Sequence, residues 1–282
     1  MTILSMIQNV VTECQLTADP SIVIGSSENI VLQLKVIAEK VGRKMRRRHP
    51  FTELNVEKTF ALVAGQAAYP LPADFDFEIW GTHWNRSEAW SLIGPLSAQE
   101  WQLIKSGTVT TTDQQYRLKG LGINQYYLDP TPGSGNAGQT MVFEYQTRST
   151  VKPRTFATGQ TYSAASYCWY DGTLYYSTSG GITNGATPLA DAGVTDWAVS
   201  DATYDTFAFD TDCSKWEEDI LEQGMKAYYK REKKLEGWED DMAEFWGEVN
   251  AAYARSLGAW VTNFDQQNPD WRTMWPVPKN VS

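Results

Sequence analysis

Apolar positions recur at helical spacing through the first fifty residues. Ile3, Ile7, Val10 and Cys14, with Leu4 and Val11 beside them, predict one amphipathic helix. Ala18-Asp19-Pro20 interrupts that pattern, and Gly25-Ser26-Ser27 supplies a loop and an N-cap for a second helix. There Ile30, Leu34, Ile37, Val41 and Met45 form a single stripe. The helix runs out through Gly42-Arg43-Lys44-Met45-Arg46-Arg47-Arg48-His49 and Pro50 stops it. Beyond it the period changes to two, and strands are predicted at 58–63, around Tyr69, and at 77–84, 116–118, 125–128 and 141–145. Turns rich in Gly and Pro, such as Asp129-Pro130-Thr131-Pro132-Gly133, separate them, and Gly120-Leu121-Gly122 reads as a hairpin turn. Ser97 to Glu100 is a capping box that opens one helical turn.

The helical period returns near residue 214. Ser214-Lys215-Trp216-Glu217 reads as a second capping box, and Glu217, Glu218 and Asp219 suit the positive end of a helix dipole. Trp216, Ile220, Gly224, Ala227 and Arg231 share a face; Gly237 marks a break; Trp238, Met242, Phe245, Val249 and Ala252 follow in register. The last stretch carries Pro269, Trp271, Trp275, Pro276 and Pro278 and reads as an extended tail. The fold class is therefore α+β: a bundle of N- and C-terminal helices with a central antiparallel β domain carrying a β-rich insertion. The predicted segments are 1–50 and 214–260 for the bundle, 51–154 for the β domain, 155–213 for the insertion and 261–282 for the tail.

Composition sharpens this plan. Residues 155–213 contain seven Asp, eleven aromatics and no Lys, Arg or Glu. The chain of 282 residues has 24 basic and 34 acidic side chains, a net charge of −10, so it is a poor general binder of nucleic acid. No run approaches 18 apolar residues, so no spanning helix is expected, and the N-terminus lacks the basic region and cleavage site of a secretory signal. Cys14, Cys168 and Cys213 form neither a disulfide framework nor a zinc pattern.

Catalytic motifs are absent. Neither G-x-S-x-G, H-E-x-x-H nor a P-loop occurs, so no catalytic or metal-ligating residue and no cofactor is predicted. His83 reads as a packed or surface histidine. Asp205, Asp210 and Asp212 lack calcium-loop spacing and read as a solvated surface. The basic run Arg43, Lys44, Arg46, Arg47 and Arg48 has three readings: cations at a helix C-terminus, a contact to DNA phosphates, or a contact to an acidic patch on a neighbouring chain. The acidic balance favours the protein neighbour. Trp169, Tyr170, Tyr175, Tyr176 and Trp197 are either a surface that stacks on sugar rings, as in glycan or fibre contact, or the core of a small module; the core reading is favoured because small modules lean on aromatics for buried area.

One resemblance organises these features. Val23-Ile24-Gly25-Ser26-Ser27 precedes a helix ending Lys40-Val41-Gly42-Arg43; then come His49-Pro50-Phe51, Tyr69-Pro70-Leu71-Pro72-Ala73-Asp74-Phe75-Asp76, Gly81-Thr82-His83-Trp84-Asn85-Arg86, Gly94-Pro95-Leu96-Ser97 and Phe209-Asp210-Thr211-Asp212. This order resembles the head-to-tail adaptors of short-tailed bacteriophages, the group that includes tail tubular protein A. The resemblance implies a non-enzymatic virion protein, made in the host cytoplasm, that forms a ring of usually twelve copies beneath the portal. Its helices would contact the portal and neighbouring subunits, its β part the tail nozzle and tail fibres. Double-stranded DNA would pass through without sequence-specific contact, and no membrane is involved. The sequence departs from the group at His49-Pro50-Phe51, where many relatives have a tryptophan, and in its insertion. A ring subunit needs two complementary faces. The basic run and the acidic residues Glu232, Glu236, Glu239, Asp240, Asp241 and Glu244 supply such a pair, and Trp271 and Trp275 supply an aromatic tail to dock on another chain. A carbohydrate-binding accessory module is the alternative from a different class.

Overall fold

The computed structural model describes residues 1–107, 114–119, 125–162, 166–171, 173–178, 196–200 and 202–256. The chain is mixed α and antiparallel β, with five α-helices among these residues. Helix α1 (Ile3–Glu13) starts on Thr2, whose hydroxyl accepts from the Ser5 N–H at 3.3 Å while the Ser5 hydroxyl accepts from the Thr2 N–H at 3.0 Å. Helix α2 (Asn29–Arg48) begins two residues later than the Ser26-Ser27 cap predicts. Its N-cap is Glu28, with no side-chain cap bond, because Ser26 Oγ instead accepts from Glu28 N at 3.2 Å and closes the preceding turn. The α2 stripe is wider than predicted: Val31, Ala38 and Gly42 are buried with Leu34, Ile37, Val41 and Met45, whereas Ile30 is half-buried.

Thirteen short strands follow among the described residues. The largest sheet contains β1 (Asn55–Ala61), β3 (Phe75–Glu78), β4 (Trp84–Asn85), β5 (Trp90–Ser91) and β8 (Thr140–Thr147). Strand β8 pairs with β1 along one edge and with β3 and β4 along the other, and it is buried on both faces. The strand predicted at 77–84 is therefore two strands. Gly81 takes φ +78° between them, and the Thr82 hydroxyl holds the bend by donating to Ile79 O at 2.6 Å and accepting from Glu144 N at 3.0 Å. A second sheet orders β2 (Ala68–Pro70), β7 (Gln125–Asp129) and β6 (Gln115–Lys119). Helix α3 (Ala98–Lys105) packs near it; its Ser97–Glu100 capping box forms as predicted, but the helix runs eight residues.

In the insertion β10 (Tyr167–Tyr170), β11 (Thr173–Ser177) and β12 (Trp197–Val199) make a three-stranded sheet. The pair β9 (Val151–Lys152) and β13 (Cys213–Ser214) ties its entry to its exit. Helices α4 (Glu218–Lys233) and α5 (Trp238–Ser256) complete the described chain. The capping box predicted at Ser214 does not form. Ser214 belongs to β13, its hydroxyl accepts from Trp216 N at 3.0 Å, and α4 starts after Glu217.

Three apolar clusters result. The first joins α1, α2, α4 and α5 through Ile7, Leu34, Val41, Met225, Tyr228 and Phe245; it also takes in Tyr204 and Phe207 from the far end of the insertion. The second fills the β domain with Tyr69, Tyr116, Tyr126, Phe143 and Tyr145. The third is Tyr162, Cys168, Tyr175 and Trp197 within the insertion. No helix among the described residues is long and apolar enough to cross a membrane.

Candidate interaction surfaces and the interdomain cleft

The basic end of α2 is not one uniform patch, because helical rotation sends its members in different directions. Arg43 lies 3.9 Å from Glu39, and the Lys44 ammonium sits 4.6 Å above the Tyr228 ring and donates to its hydroxyl at 3.2 Å. Arg46 turns inward. Its side chain is 9% exposed, Nη1 donates to Arg148 O at 2.9 Å and Nε lies 3.4 Å from Asp76. Burial pulls its guanidinium pKa down, against the attraction of Asp76. Arg47 and Arg48 are exposed, and Arg48 stacks over Trp246 of α5 at 4.5 Å. Arg47 and Arg48 are thus the members of the run that present charge to solvent.

An acidic groove runs between α1, α4 and α5, lined by Glu13, Asp219, Glu222, Asp241, Glu244 and Glu248. Lys226 lies 3.6 Å from Glu13, Lys230 lies 2.6 Å from Asp241, and Arg255 pairs with Glu217 at 2.7 Å, so these contacts neutralise part of it.

The insertion aromatics divide. Trp197 and Tyr175 are buried; Trp197 meets Tyr162 edge-on at 5.1 Å and Phe156 at 6.0 Å. Tyr170 and Tyr176 are half-buried at the surface. Trp169 leans toward the helical core, with the Lys152 and Lys215 ammoniums 5.7 and 5.4 Å from its ring centre. Trp271, Trp275 and Gly120-Leu121-Gly122 lie outside the described residues.

His83 is fully packed: its ring stacks on Tyr116 at 3.9 Å and Phe143 at 5.2 Å, Nδ1 is 3.2 Å from the Tyr126 hydroxyl and Nε2 is 2.8 Å from Glu78. The solvated reading of the insertion aspartates fails for two of them. Asp212 is buried, and its carboxylate accepts from Tyr204 Oη (2.9 Å) and from the N–H groups of Ala208 (2.7 Å), Phe209 (2.9 Å) and Arg154 (3.1 Å). Asp210 accepts from Val23 N at 2.9 Å and Ile24 N at 2.7 Å, bridging to the loop before α2. The donors to Asp210 are remote in sequence, whereas Ala208 and Phe209, which donate to Asp212, lie only four and three residues before it. Among the described residues no three His, Cys, Asp or Glu side chains converge on a metal position.

A cleft of about 750 Å³ opens among β1, β9, β11 and β13, lined among others by Glu53, Asp74, Lys152, Trp169, Tyr204 and Lys215. Asp74 is held by the hydroxyls of Tyr145 (2.8 Å) and Thr147, yet burial pushes its pKa up despite these donors. Burial pulls Lys215 down to about 8; Asp74 acts against that fall and Lys152 adds to it.

A family model described as SU10 adaptor protein matches residues 1–177, more than half of the chain. No curated protein matches.

Proposed function

The chain belongs to the SU10 adaptor protein family, a family of structural phage adaptors, and from that premise we propose that it is a head-to-tail connector of the virion, akin to the tail tubular protein A group. In this reading identical subunits, twelve by the resemblance, form a ring between portal and tail nozzle, with tail fibres attached outside and DNA passing through during ejection. The helices act together as the bundle that meets the portal and the adjacent subunits. The tail, residues 261–282, docks on another chain through Trp271 and Trp275.

One observation carries the ring proposal. The chain presents the exposed cations Arg47 and Arg48 at one helix end and a separate acidic groove on α1, α4 and α5. Two different complementary faces are what a heterologous, closing contact requires. The acidic groove and net charge of −10 favour a protein partner for these arginines over DNA. Arg47→Glu with Arg48→Glu, purified and mixed with portal protein, tests this by light scattering and electron microscopy. The expected result is loss of the ring without loss of the fold. Intact rings with weakened DNA retention would assign the arginines to DNA instead. The glycan-binding alternative has less support, because Trp197 and Tyr175 are used in packing and only Trp169, Tyr170 and Tyr176 remain partly open.

A further inference from the structure

The largest sheet ends on an open strand edge. Strand β1 pairs with β8 and with no other strand among the described residues. In an antiparallel pair, residues that bond to the partner alternate with residues whose N–H and C=O point the other way. Leu62 N donates to Gln139 O at 2.9 Å, which places Leu62, and with it Phe60, Lys58 and Val56, in the set that bonds toward β8. The residues of β8 agree. Glu144, opposite Glu57, accepts from Ile79 N at 3.0 Å and donates its own N–H to Thr82 Oγ1 at 3.0 Å. Thr140, opposite Ala61, accepts from Arg86 N at 2.9 Å and donates its N–H to Ser87 Oγ at 3.0 Å. Both therefore turn their main-chain groups away from β1. The N–H and C=O groups of Glu57, Thr59 and Ala61 accordingly point out of the sheet's edge, and no hydrogen bond meets them among the described residues.

This edge is reachable and unguarded. Five consecutive residues, Asn55 to Thr59, line the cleft of about 750 Å³. Side chains alternate between the two faces of a strand, so a run of neighbours borders one cavity only along the strand's edge. Proteins blunt such edges with proline, a bulge or a charge. Strand β1 has no proline, its register with β8 runs from Asn55 to Ala61 without a bulge, and the charge of Glu57 is paired with Arg86 at 2.6 Å. Lys58 lies on the half-buried face with Val56 and Phe60, whereas Thr59 and Ala61 are exposed and uncharged. The edge also continues from the basic run. Helix α2 ends at Arg48 and β1 starts at Asn55, a reach of at most about 23 Å at ~3.3 Å per residue. A neighbour that covers the exposed Arg47 and Arg48 is therefore close to this edge.

A row of outward main-chain donors and acceptors fixes the chemistry of what fits it: another main chain in extended form. We propose that β1 receives an extended segment of the neighbouring copy of this chain, bonded to the outward N–H and C=O groups of Glu57, Thr59 and Ala61, so that the largest sheet continues across the subunit boundary. This rests on the ring reading and adds a main-chain contact to the charged one at Arg47 and Arg48. It is a heterologous contact, β1 of one copy with a different segment of the next, as ring closure requires.

Photo-cross-linking from the edge tests this. Full-length protein carrying Thr59→p-benzoylphenylalanine is made in heavy- and light-isotope forms, mixed, assembled with portal protein and irradiated. The expected products join position 59 to a peptide of this chain, with heavy–light pairs among them. Adducts to a portal peptide, adducts confined to single chains, or rings that give no adduct would each overturn the proposal and leave the ring reading standing. A parent protein that forms no ring would overturn both. A second measurement separates main chain from side chain. Thr59→Pro removes an N–H that points away from β8, a position that an edge strand tolerates, whereas Thr59→Ala keeps it. Thr59→Pro is expected to raise the concentration needed for ring assembly by about tenfold, the effect of one lost hydrogen bond, with Thr59→Ala close to the parent. A folded Thr59→Pro protein that assembles like the parent would refute the proposal.

Discussion

Gly224 of α4 stands against Phe245 of α5 with no room for a side chain: a Cβ there would fall 2.6 Å from Phe245 Cε2 and 2.6 Å from Val41 Cγ1 of α2. Three helices that come from both ends of the chain therefore close on one glycine. Alanine is the better helix former by about 1 kcal/mol, whereas overpacking a tight core costs roughly 1–3 kcal/mol. The clash is with a ring and a branched side chain, each fixed by its own packing. Gly224→Ala is therefore expected to lower stability by about 1–2 kcal/mol, read as a lower urea midpoint with an unchanged slope. A rise in the midpoint would mean that α5 moves away at little cost.

Arg46 and Arg47 are adjacent in sequence and opposite in role. The Arg46 guanidinium is buried between Arg148 O and Asp76, linking α2 to the β domain, whereas Arg47 is exposed. Arg46→Ala leaves the partly buried Arg148 carbonyl without this donor and removes the contact to Asp76, a loss of about 1–3 kcal/mol. Arg47→Ala is expected to stay within about 0.5 kcal/mol of the parent. Chemical denaturation of the two variants checks this, and equal effects would remove the distinction drawn between the two halves of the basic run.

Asp212 supplies a pH signature. Burial raises its pKa, outweighing the four donors that favour the charged form. A carboxyl with a folded pKa above its unfolded value, near 3.8, holds its proton more tightly in the folded state. That contribution is fully present at pH below the unfolded value and is lost as pH rises through the folded one. Asp212→Asn has no such group. The stability of the parent relative to Asp212→Asn should therefore grow as pH falls from about 7 to about 4, as followed by urea midpoints at each pH. A difference that stays constant across this range would show that Asp212 does not titrate with folding.

The parts of the fold that were readable from sequence are those decided within one turn of helix or one strand pair. The α2 stripe and the Ser97–Glu100 box are examples, because their partners lie three or four residues away. The Ser214 box misled because a remote partner, Val151, takes Ser214 into β13. The strand at 77–84 misled because Gly81 adopts positive φ, which alternation does not reveal. The cleft was invisible for a stronger reason: Asp74 and Lys215 are 141 positions apart, and only the fold brings them near each other. The segments that carry the family resemblance have local work to do. Asp74 holds Tyr145, and its carbonyl accepts from Arg148 N at 2.7 Å; Asn85 Oδ1 accepts from Ser87 N at 3.1 Å and Glu88 N at 3.3 Å; Arg86 pairs with Glu57 at 2.6 Å. They are scaffold signals, which is why they point to a family before they point to a contact surface.

The insertion core leads to the last prediction. Tyr162, Cys168, Tyr175 and Trp197 pack on one another, with Phe156 stacked on Tyr162 at 5.6 Å, and form a cluster separate from that of the helices. Removing the largest of these side chains costs about 3–5 kcal/mol where the surroundings cannot collapse. A module with so few core residues has little stability in reserve. Trp197→Ala should therefore open the β10–β12 sheet while α2 and α4 stay folded. Native-state hydrogen exchange reads this directly, as lost protection over residues 166–178 with protection of 31–45 and 218–233 retained. Loss of protection in both regions together would mean that the insertion and the helices unfold as one unit, through Tyr204 and Phe207, which the insertion contributes to the helical core.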